Sequence, residues 1–242
     1  MTQVKRNGPN IDQQKAFWDS HWGLWRERNT INEWKNRRHE AILALVKKLS
    51  LDGAKILDVG CGPGHYTKKL SNFGKVTGLD LSEEAIKVAK SKYSRIQFIA
   101  GNLYDYPFPA DAFDIVVAQE VFDHVEDQPA FLNRVERLLK PQGYLILSCT
   151  NRFVLVRGGF PDLGPDHIKK YLTKKELRDL LRRNFRVLQI HSLIPLGRQG
   201  ILRLINSHKL NSALSRLIPH RTLETWKEWA GYGYQLIALG QK

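Results

Sequence analysis

Cysteine is scarce in this 242-residue chain, which holds only Cys61 and Cys149. Two such thiols supply neither a disulfide framework nor a metal-ligand spacing; they suit a reducing compartment as small apolar fillers. Long apolar runs are missing too. No stretch approaches the roughly 18 apolar residues of a membrane span, and the opening MTQVKRNGPNIDQQ lacks a run of signal-peptide length. A cytoplasmic protein is the expectation. No internal repeat and no low-complexity tract appears. Acidic residues are in short supply, with 24 Asp and Glu against 38 Lys and Arg, a formal charge of +14. The deficit is local: residues 51–150 carry 11 basic against 13 acidic side chains, whereas residues 1–50 carry 10 against 5 and residues 151–242 carry 17 against 6. Basic flanks around a near-neutral centre point to an anionic partner, membrane surface or acidic substrate for the flanks, or to nothing more than a solvated basic surface.

With 42% apolar residues the chain can bury one generous domain. Residues 12–50 read as helices: Thr30 with Glu33 makes a capping-box pattern, and AILALVKKL is apolar at helical spacing. The texture then changes to short β-rich runs, KILDVG, KVTGLD, IQFIAG, FDIVVAQ and YLILSCT, mostly separated by helix-length segments. That alternation predicts an α/β fold with a parallel sheet covered on both faces. A second capping box, Thr173 with Glu176, opens a helix, and FRVLQIHS and YQLIALGQ read as two more strands. Between those strands, about residues 193–229, lies a connection long enough to be a lid or binding segment. Its Leu210, Leu214, Leu217 and Ile218 recur at helical spacing beside Lys209 and Arg216, a basic amphipathic pattern that either covers the substrate, lies on a membrane, pairs with another subunit or packs on the domain.

ILDVGCGPG, residues 56–64, joins a predicted strand to a predicted helix, so Gly60, Gly62 and Gly64 let the backbone turn tightly beside a ligand. The third glycine of a dinucleotide fingerprint is replaced by His65, and no Gly-Lys-Ser/Thr follows, which excludes a Walker loop. Asp80, ending the next strand, is placed to accept hydrogen bonds from two vicinal ribose hydroxyls.

On ILDVGCGPG, VTGLDLS, AGNLYDYPFP followed by FDIVV, and LLKPQGYLILS, the chain resembles the class I S-adenosylmethionine-dependent methyltransferases over residues 50–150. The resemblance implies a Rossmann-like seven-stranded sheet with the last strand antiparallel. It implies S-adenosylmethionine as cofactor and S-adenosylhomocysteine as product. By the same resemblance, Asp58 and the backbone of Gly60, Cys61, Gly62 and Gly64 hold the methionine part. Asp80 and Leu81 meet the ribose and adenine edge, Asn102 and Leu103 the adenine, and Gln119 lines the cofactor at the end of the fourth strand. The family usually has Asp where Asn102 stands; its amide oxygen can accept the same bond, or the residue is simply a turn former.

Methyl transfer asks the enzyme chiefly to align an acceptor and exclude water. The Pro-Pro-aromatic stretch of base-nitrogen methyltransferases is replaced by AQEV, and neither cysteine sits where RNA cytosine-C5 enzymes place theirs, so a small-molecule acceptor is expected rather than nucleic acid. A hydroxyl acceptor needs a base. If residues 120–127 are helical, Glu120, Asp123, His124 and Asp127 share one face looking toward the acceptor. The resemblance is closest to ubiquinone-biosynthesis O-methyltransferases, whose Glu-x-x-Glu-His at this place is linked to a divalent cation; the plainer expectation is no metal. Asp127 is also a candidate N-cap and Asp123 a candidate support for His124. His167 is a second catalytic candidate. Trp18, Trp22 and Trp25 either close over the site or pack in the core. The expected organisation is a helical cover over residues 1–50, a methyltransferase domain over 51–242 with its cofactor core at 51–150, and an acceptor pocket completed by the insertion. Methylation of a hydroxyl oxygen is the expected reaction; N-methylation of a small molecule or protein, or a non-catalytic cofactor-binding subunit, are the alternatives. A peripheral contact with anionic membrane through the insertion is the partner expectation.

Overall fold

The computed structural model describes residues 11–25, 33–159, 167–197, 199–215 and 218–242. Two helices come first, α1 (Ile11–Trp25) and α2 (Glu33–Leu49). Strands and helices then alternate except between β3 and β4, which a loop joins: β1 (Ala54–Val59), α3 (His65–Leu70), β2 (Gly74–Asp80), α4 (Glu83–Lys92), β3 (Gln97–Ala100), β4 (Phe113–Gln119), α5 (Gln128–Leu138) and β5 (Leu139–Thr150). The remainder runs α6 (Arg152–Arg157), α7 (Lys174–Leu181), β6 (Arg186–Pro195), α8 (Gly200–Ile205), α9 (His208–Leu214), α10 (His220–Ala230) and β7 (Gly233–Gln241).

The strands form one seven-stranded sheet in the order β3-β2-β1-β4-β5-β7-β6, in which β7 runs antiparallel to β5 and β6. All seven β-rich runs of the sequence are strands, and the expected antiparallel last strand is present. Side-chain alternation explains why both faces are covered. Leu57, Val116, Leu147 and Leu236 point into one core with Phe131 and Leu132 of α5, while their neighbours Ile56, Ile115, Ile146 and Ile237 point into the other. A period of two with apolar residues at both phases can only be satisfied by burial on both sides. Helix α2 supplies Ile42, Leu45 and Val46 to the second core, so it is built into the sheet's packing.

Local signals behave as their chemistry dictates. Thr173 caps α7 with the full reciprocal box to Glu176. Thr30 lies outside the described residues, although α2 does begin at Glu33. Asp127 accepts from the Ala130 N–H at 2.8 Å and caps α5. Because β1 is followed on one side by β2 and β3 and on the other by β4, the strand order reverses between β1 and β4. Open α/β sheets leave a crevice at that point, beyond the carboxyl ends of the strands.

Candidate active site

A cavity of about 660 Å³ occupies that crevice. Its floor is the ends of β1, β2 and β4 with their loops, and its cover is α1 and α2. Gly60 has φ 71°, and a Cβ there would stand 2.0 Å from Val121 Cγ2, so the loop needs glycine for both conformation and space. Gly62, at φ 52°, lies directly under Trp22, 3.0 Å from where its Cβ would be. The loop's N–H groups turn inward. Gly60 and Cys61 donate to the Leu79 carbonyl at 2.7 and 3.1 Å, Gly64 donates to the Cys61 carbonyl at 3.1 Å, and Gly62 donates to Asp80 Oδ2 at 2.7 Å. A loop whose donors are consumed this way is a poor phosphate cradle, in keeping with the missing dinucleotide fingerprint.

Asp80 holds the adjoining position. Besides Gly62, it accepts from the Ser82 N–H at 2.8 Å through Oδ1, and each oxygen keeps a lone pair for a diol. Burial pushes its carboxyl up to about 6, against two backbone donors that favour the charged form. Ser82 in turn donates to Asp19 of α1 at 2.6 Å, so the cover is latched to the loop beside Asp80.

Gly60, Cys61, Gly62, Asp80, Leu81, Asn102, Leu103 and Gln119 all line the cavity. Two of the anticipated contacts do not. Asp58 is fully buried behind the loop, accepting from Thr67 Oγ1 at 2.7 Å, where desolvation raises it to about 7; it braces α3. Gly64 caps α3 against Phe98. Asn102 does both things weighed for it: it lines the cavity, and its side chain closes a turn, accepting from Tyr104 N–H at 3.2 Å and donating to Asp105 at 2.9 Å.

The segment after β4 corrects the sequence reading. Residues 120–127 form a single 3-10 turn, Phe122–His124, rather than helical turns with an acidic face. Glu120 sits at φ 57°, its carboxylate receiving Ser148 Oγ at 3.0 Å and Gln235 Nε2 at 3.1 Å, with Arg38 Nη1 at 3.4 Å. Asp123 turns away from the cavity and is buried, its Oδ2 accepting from the Thr150 N–H at 2.7 Å. Burial raises its carboxyl well above the usual range. Its contact is with the end of β5, and Asp127 is the cap described above. Among the described residues no group of three or more His, Cys, Asp or Glu side chains is arranged to hold a metal.

His124 lines the cavity, as do Glu120 and Asp127, and it is the imidazole of that set. Its Nδ1 lies 2.8 Å from the Ile168 carbonyl, which can only accept, so Nδ1 carries the proton and Nε2 keeps its lone pair. Burial holds the imidazole below its ordinary value, hence neutral at physiological pH. Trp18 packs edge-on at 5.1 Å and His167 lies 4.9 Å away, itself stacked on Phe17 at 4.5 Å. His167 thus backs the ring cluster without lining the cavity. Trp18 and Trp22 are wall residues, while the side chain of Trp25 lies outside the described residues.

No described residue of 193–229 lines this cavity. The insertion instead folds against β6 at the far edge of the sheet: Ser192 Oγ donates to the Glu228 carbonyl at 2.6 Å, and Glu228 ion-pairs with Arg37 of α2 at 2.7 Å. Among the described residues, the expectation that it completes the pocket is therefore not met. Its place is taken by Gln14, His21, Lys35, Arg38 and His39 of α1 and α2, with Tyr66 of α3. Arg38 was legible in one respect: it stands on the same helical stripe as Ile42 and Leu45, where a charge is out of place unless it has work to do.

Residues 57–147 match the family described as a methyltransferase domain. These residues hold the glycine loop, Asp80 and the strand ends that floor the cavity. A probable S-adenosylmethionine-dependent methyltransferase of Mycolicibacterium smegmatis is 32% identical over 146 residues, covering 60% of this chain and 56% of that protein. A ubiquinone biosynthesis O-methyltransferase of Xylella fastidiosa is 35% identical over 147 residues, covering 56% of this chain and 58% of the relative. The chain thus spans little more than half the length of the curated relatives it matches. The fold extends further: the N-methyltransferase NodS of Bradyrhizobium japonicum, solved with S-adenosylhomocysteine, superposes with a TM-score of 0.63 over 96% of this chain and 99% of its own at 17% identity. The cyclase SpnF superposes at 0.69, over 97% of both chains and also at 17% identity. A fold shared with a cyclase leaves the chemistry to be argued from the site. The Asp80 carboxylate, beside a glycine loop with inward-turned donors, is suited to the diol of an adenosine, the nucleoside of the S-adenosylmethionine for which the Mycolicibacterium smegmatis relative is named.

Proposed function

We propose that this protein transfers a methyl group from S-adenosylmethionine to a hydroxyl oxygen of a small, flat, ring-bearing acceptor. When bound, the cofactor supplies an activated methyl group and its own driving force; the chain supplies position, dryness and a proton acceptor. His124 carries the reading. With Nδ1 committed to the Ile168 carbonyl, Nε2 is the basic nitrogen of a cavity-lining imidazole and takes the hydroxyl proton as the oxygen attacks. Trp18 and Trp22 of α1 give the acceptor side an aromatic wall suited to stacking a ring, and with α2 they shield the transfer from water. The O-methyltransferase name of the Xylella fastidiosa relative supports the choice of oxygen.

The test is to incubate the protein with 13C-methyl-labelled cofactor and a panel of phenols, catechols, sugars and amines, then read the product's methyl carbon by NMR. A methyl ether whose formation collapses in His124→Ala supports the reading. A methylamine product, or a methyl ether formed equally well by the variant, sinks it.

The insertion carries a second role. Leu204 (66% exposed), Trp226 (57%) and Trp229 (77%) stand in solvent on the same insertion as exposed Arg203, Lys209 and Arg221. Apolar anchors with basic neighbours complement an anionic lipid surface, and no described helix is long and apolar enough to cross a membrane. Flotation with vesicles containing anionic lipid tests this contact; protein remaining at the bottom of the gradient removes it.

A further inference from the structure

His124 is held by more than its own turn. A short segment, residues 168–172, lies along the connection between β4 and α5 and meets it three times. Ile168 offers its carbonyl to His124 Nδ1–H at 2.8 Å, the Lys170 N–H donates to the Asp123 carbonyl at 2.7 Å, and Lys170 Nζ donates to the Glu126 carbonyl. At its far end the segment is fixed to the sheet, where Leu172 bridges Asn151 and its carbonyl receives the Arg152 N–H at 3.0 Å. Beside His124 it belongs to no helix or strand, so its position there has to come from side chains.

One buried side chain does this. Gln128, the first residue of α5 and 6% exposed, donates through Nε2 to the Phe122 carbonyl at 3.0 Å and to the Lys170 carbonyl at 2.9 Å. It thereby joins the residue two before His124 to the residue two after Ile168. An amide suits the task, because one NH2 group carries two donors and can meet two carbonyls at once. Helix formation asks for nothing of the kind. Asp127 already caps α5, and Phe131, Leu132 and Val135 supply its apolar stripe.

We propose that Gln128 is a positioning residue for His124: by tying Phe122 to Lys170 it keeps the Ile168 carbonyl on Nδ1, and so keeps Nε2 as the basic nitrogen. In a neutral imidazole, the nitrogen that holds the proton is set by the hydrogen bond the ring makes. A hydrogen bond of ordinary net strength is worth about a 10-fold preference. Drift of the Ile168 carbonyl forfeits that preference. Edge-on packing against Trp18 confines the ring but does not choose between its nitrogens. Without the amide, the Phe122 and Lys170 carbonyls lose a buried donor, and the segment must shift for them to find another. The turn itself keeps its other supports, since Phe122 packs on Phe131 at 5.6 Å and Asp127 still holds Ala130.

The bearing on turnover rests on His124 being the base, whereas the tautomer is read without turnover, so the two claims fail separately. The full chain is labelled with 15N in its eight histidines. His124→Asn assigns the His124 signals, and the imidazole nitrogen shifts at alkaline pH report the ratio of the two tautomers. Wild type should favour Nδ1–H by about 10-fold or more. Gln128→Met, which keeps the side chain long and removes both donors, should bring the ratio to within about 2-fold of unity, with the other histidine signals in place. With the acceptor found by the labelled-methyl panel, kcat should fall about 3- to 10-fold in Gln128→Met, and adding this change to His124→Ala should cost nothing more. Should Gln128→Met not fold, Gln128→Asn, its amide drawn back by one methylene, is read the same way. The proposal is overturned if wild type does not favour Nδ1–H, if the variant keeps the wild-type ratio, if all histidine signals move together, or if the loss of turnover adds to that of His124→Ala. A shifted tautomer with unaltered turnover would leave the positioning role standing and remove His124 as base.

Discussion

The sheet-side wall of the cavity and its helix-side wall are held by different parts of the chain. On the sheet side, the loop after β1 is fixed by backbone hydrogen bonds to Leu79 and by the Asp80 carboxylate, so its shape depends on three or four residue types at set spacing. On the helix side, α1 and α2 offer rings and long polar side chains; α1 is latched through Asp19 to Ser82, and α2 is packed on the second core and joined through Arg37 to Glu228. A wall made by backbone tolerates little change and suits one chemical group, whereas the cavity-facing side chains of a helical wall can be exchanged for a new acceptor while the apolar face that packs on the sheet is kept.

The sharpest way to break the comparison is at Asp80. Asp80→Ala removes the acceptor for two hydroxyls and the brace of Gly62, and affinity for S-adenosylhomocysteine should fall by more than about 1000-fold. Titration calorimetry checks it; a loss of less than about 10-fold would mean that the backbone wall is not the main hold on the nucleoside. pH gives the same information without mutation. Because the Asp80 carboxyl is raised to about 6, the proton arrives below that pH and removes acceptor capacity, so affinity is full above about 7 and declines as pH falls through 6. Apo stability should move the other way. Asp58 and Asp80 bind protons more tightly folded than unfolded, so their contribution is fully present below about 4 and is lost as pH rises through 6 and 7.

On the opposite wall, His124→Ala should lower kcat about 100- to 1000-fold while leaving S-adenosylhomocysteine binding within about 2-fold. At saturating cofactor, the wild-type rate should fall on the acid side with a midpoint below the ordinary histidine value, since burial depresses the imidazole. The variant should lack that limb. A kcat that keeps the same acid limb in His124→Ala removes the residue as base.

What could be read from the chain follows the same division. The strands were legible because apolar residues at both phases of a period-two run leave no other solution, and the glycine loop because only glycine adopts φ 71° beneath Val121. The acidic run after β4 was misread. Spacing of three and four residues suits one helix face, but Glu120 adopts φ 57° and the chain makes a single 3-10 turn, sending Asp123 to Thr150 and Asp127 to Ala130. No local pattern announces that Asp123 will be spent on the end of β5. Gln14, Arg38 and Tyr66 escaped notice because they meet only through tertiary packing of three helices, although Arg38 on an apolar stripe was a visible clue.

Gly60→Ala tests the backbone wall more gently. A left-handed φ and a Cβ 2.0 Å from Val121 Cγ2 should together cost about 2–4 kcal/mol, seen as a lower denaturation midpoint in urea with an unchanged slope. Since Val121 leads into His124, the variant should also lose turnover, which Asp80→Asn, altered at the cofactor alone, should do only through KM.

The smallest effect is expected farthest from both walls. Trp226 and Trp229 stand three residues apart on α10, more than half exposed, on an insertion none of whose described residues lines the cavity. Replacing both by Ala should leave cofactor affinity and turnover of a water-soluble acceptor within about 2-fold, because nothing in the walls changes. If the insertion rests on lipid, the same variant should lose vesicle flotation by about 10-fold or more, as two interfacial indoles leave the contact. A further charge reversal, Arg203→Glu with Lys209→Glu, should abolish the preference for anionic over neutral vesicles while sparing the soluble assay. A loss of soluble turnover in the tryptophan variant would mean that α10, through Glu228 and Arg37, sets the position of α2 over the cavity, and the insertion would then count as part of the helix-side wall.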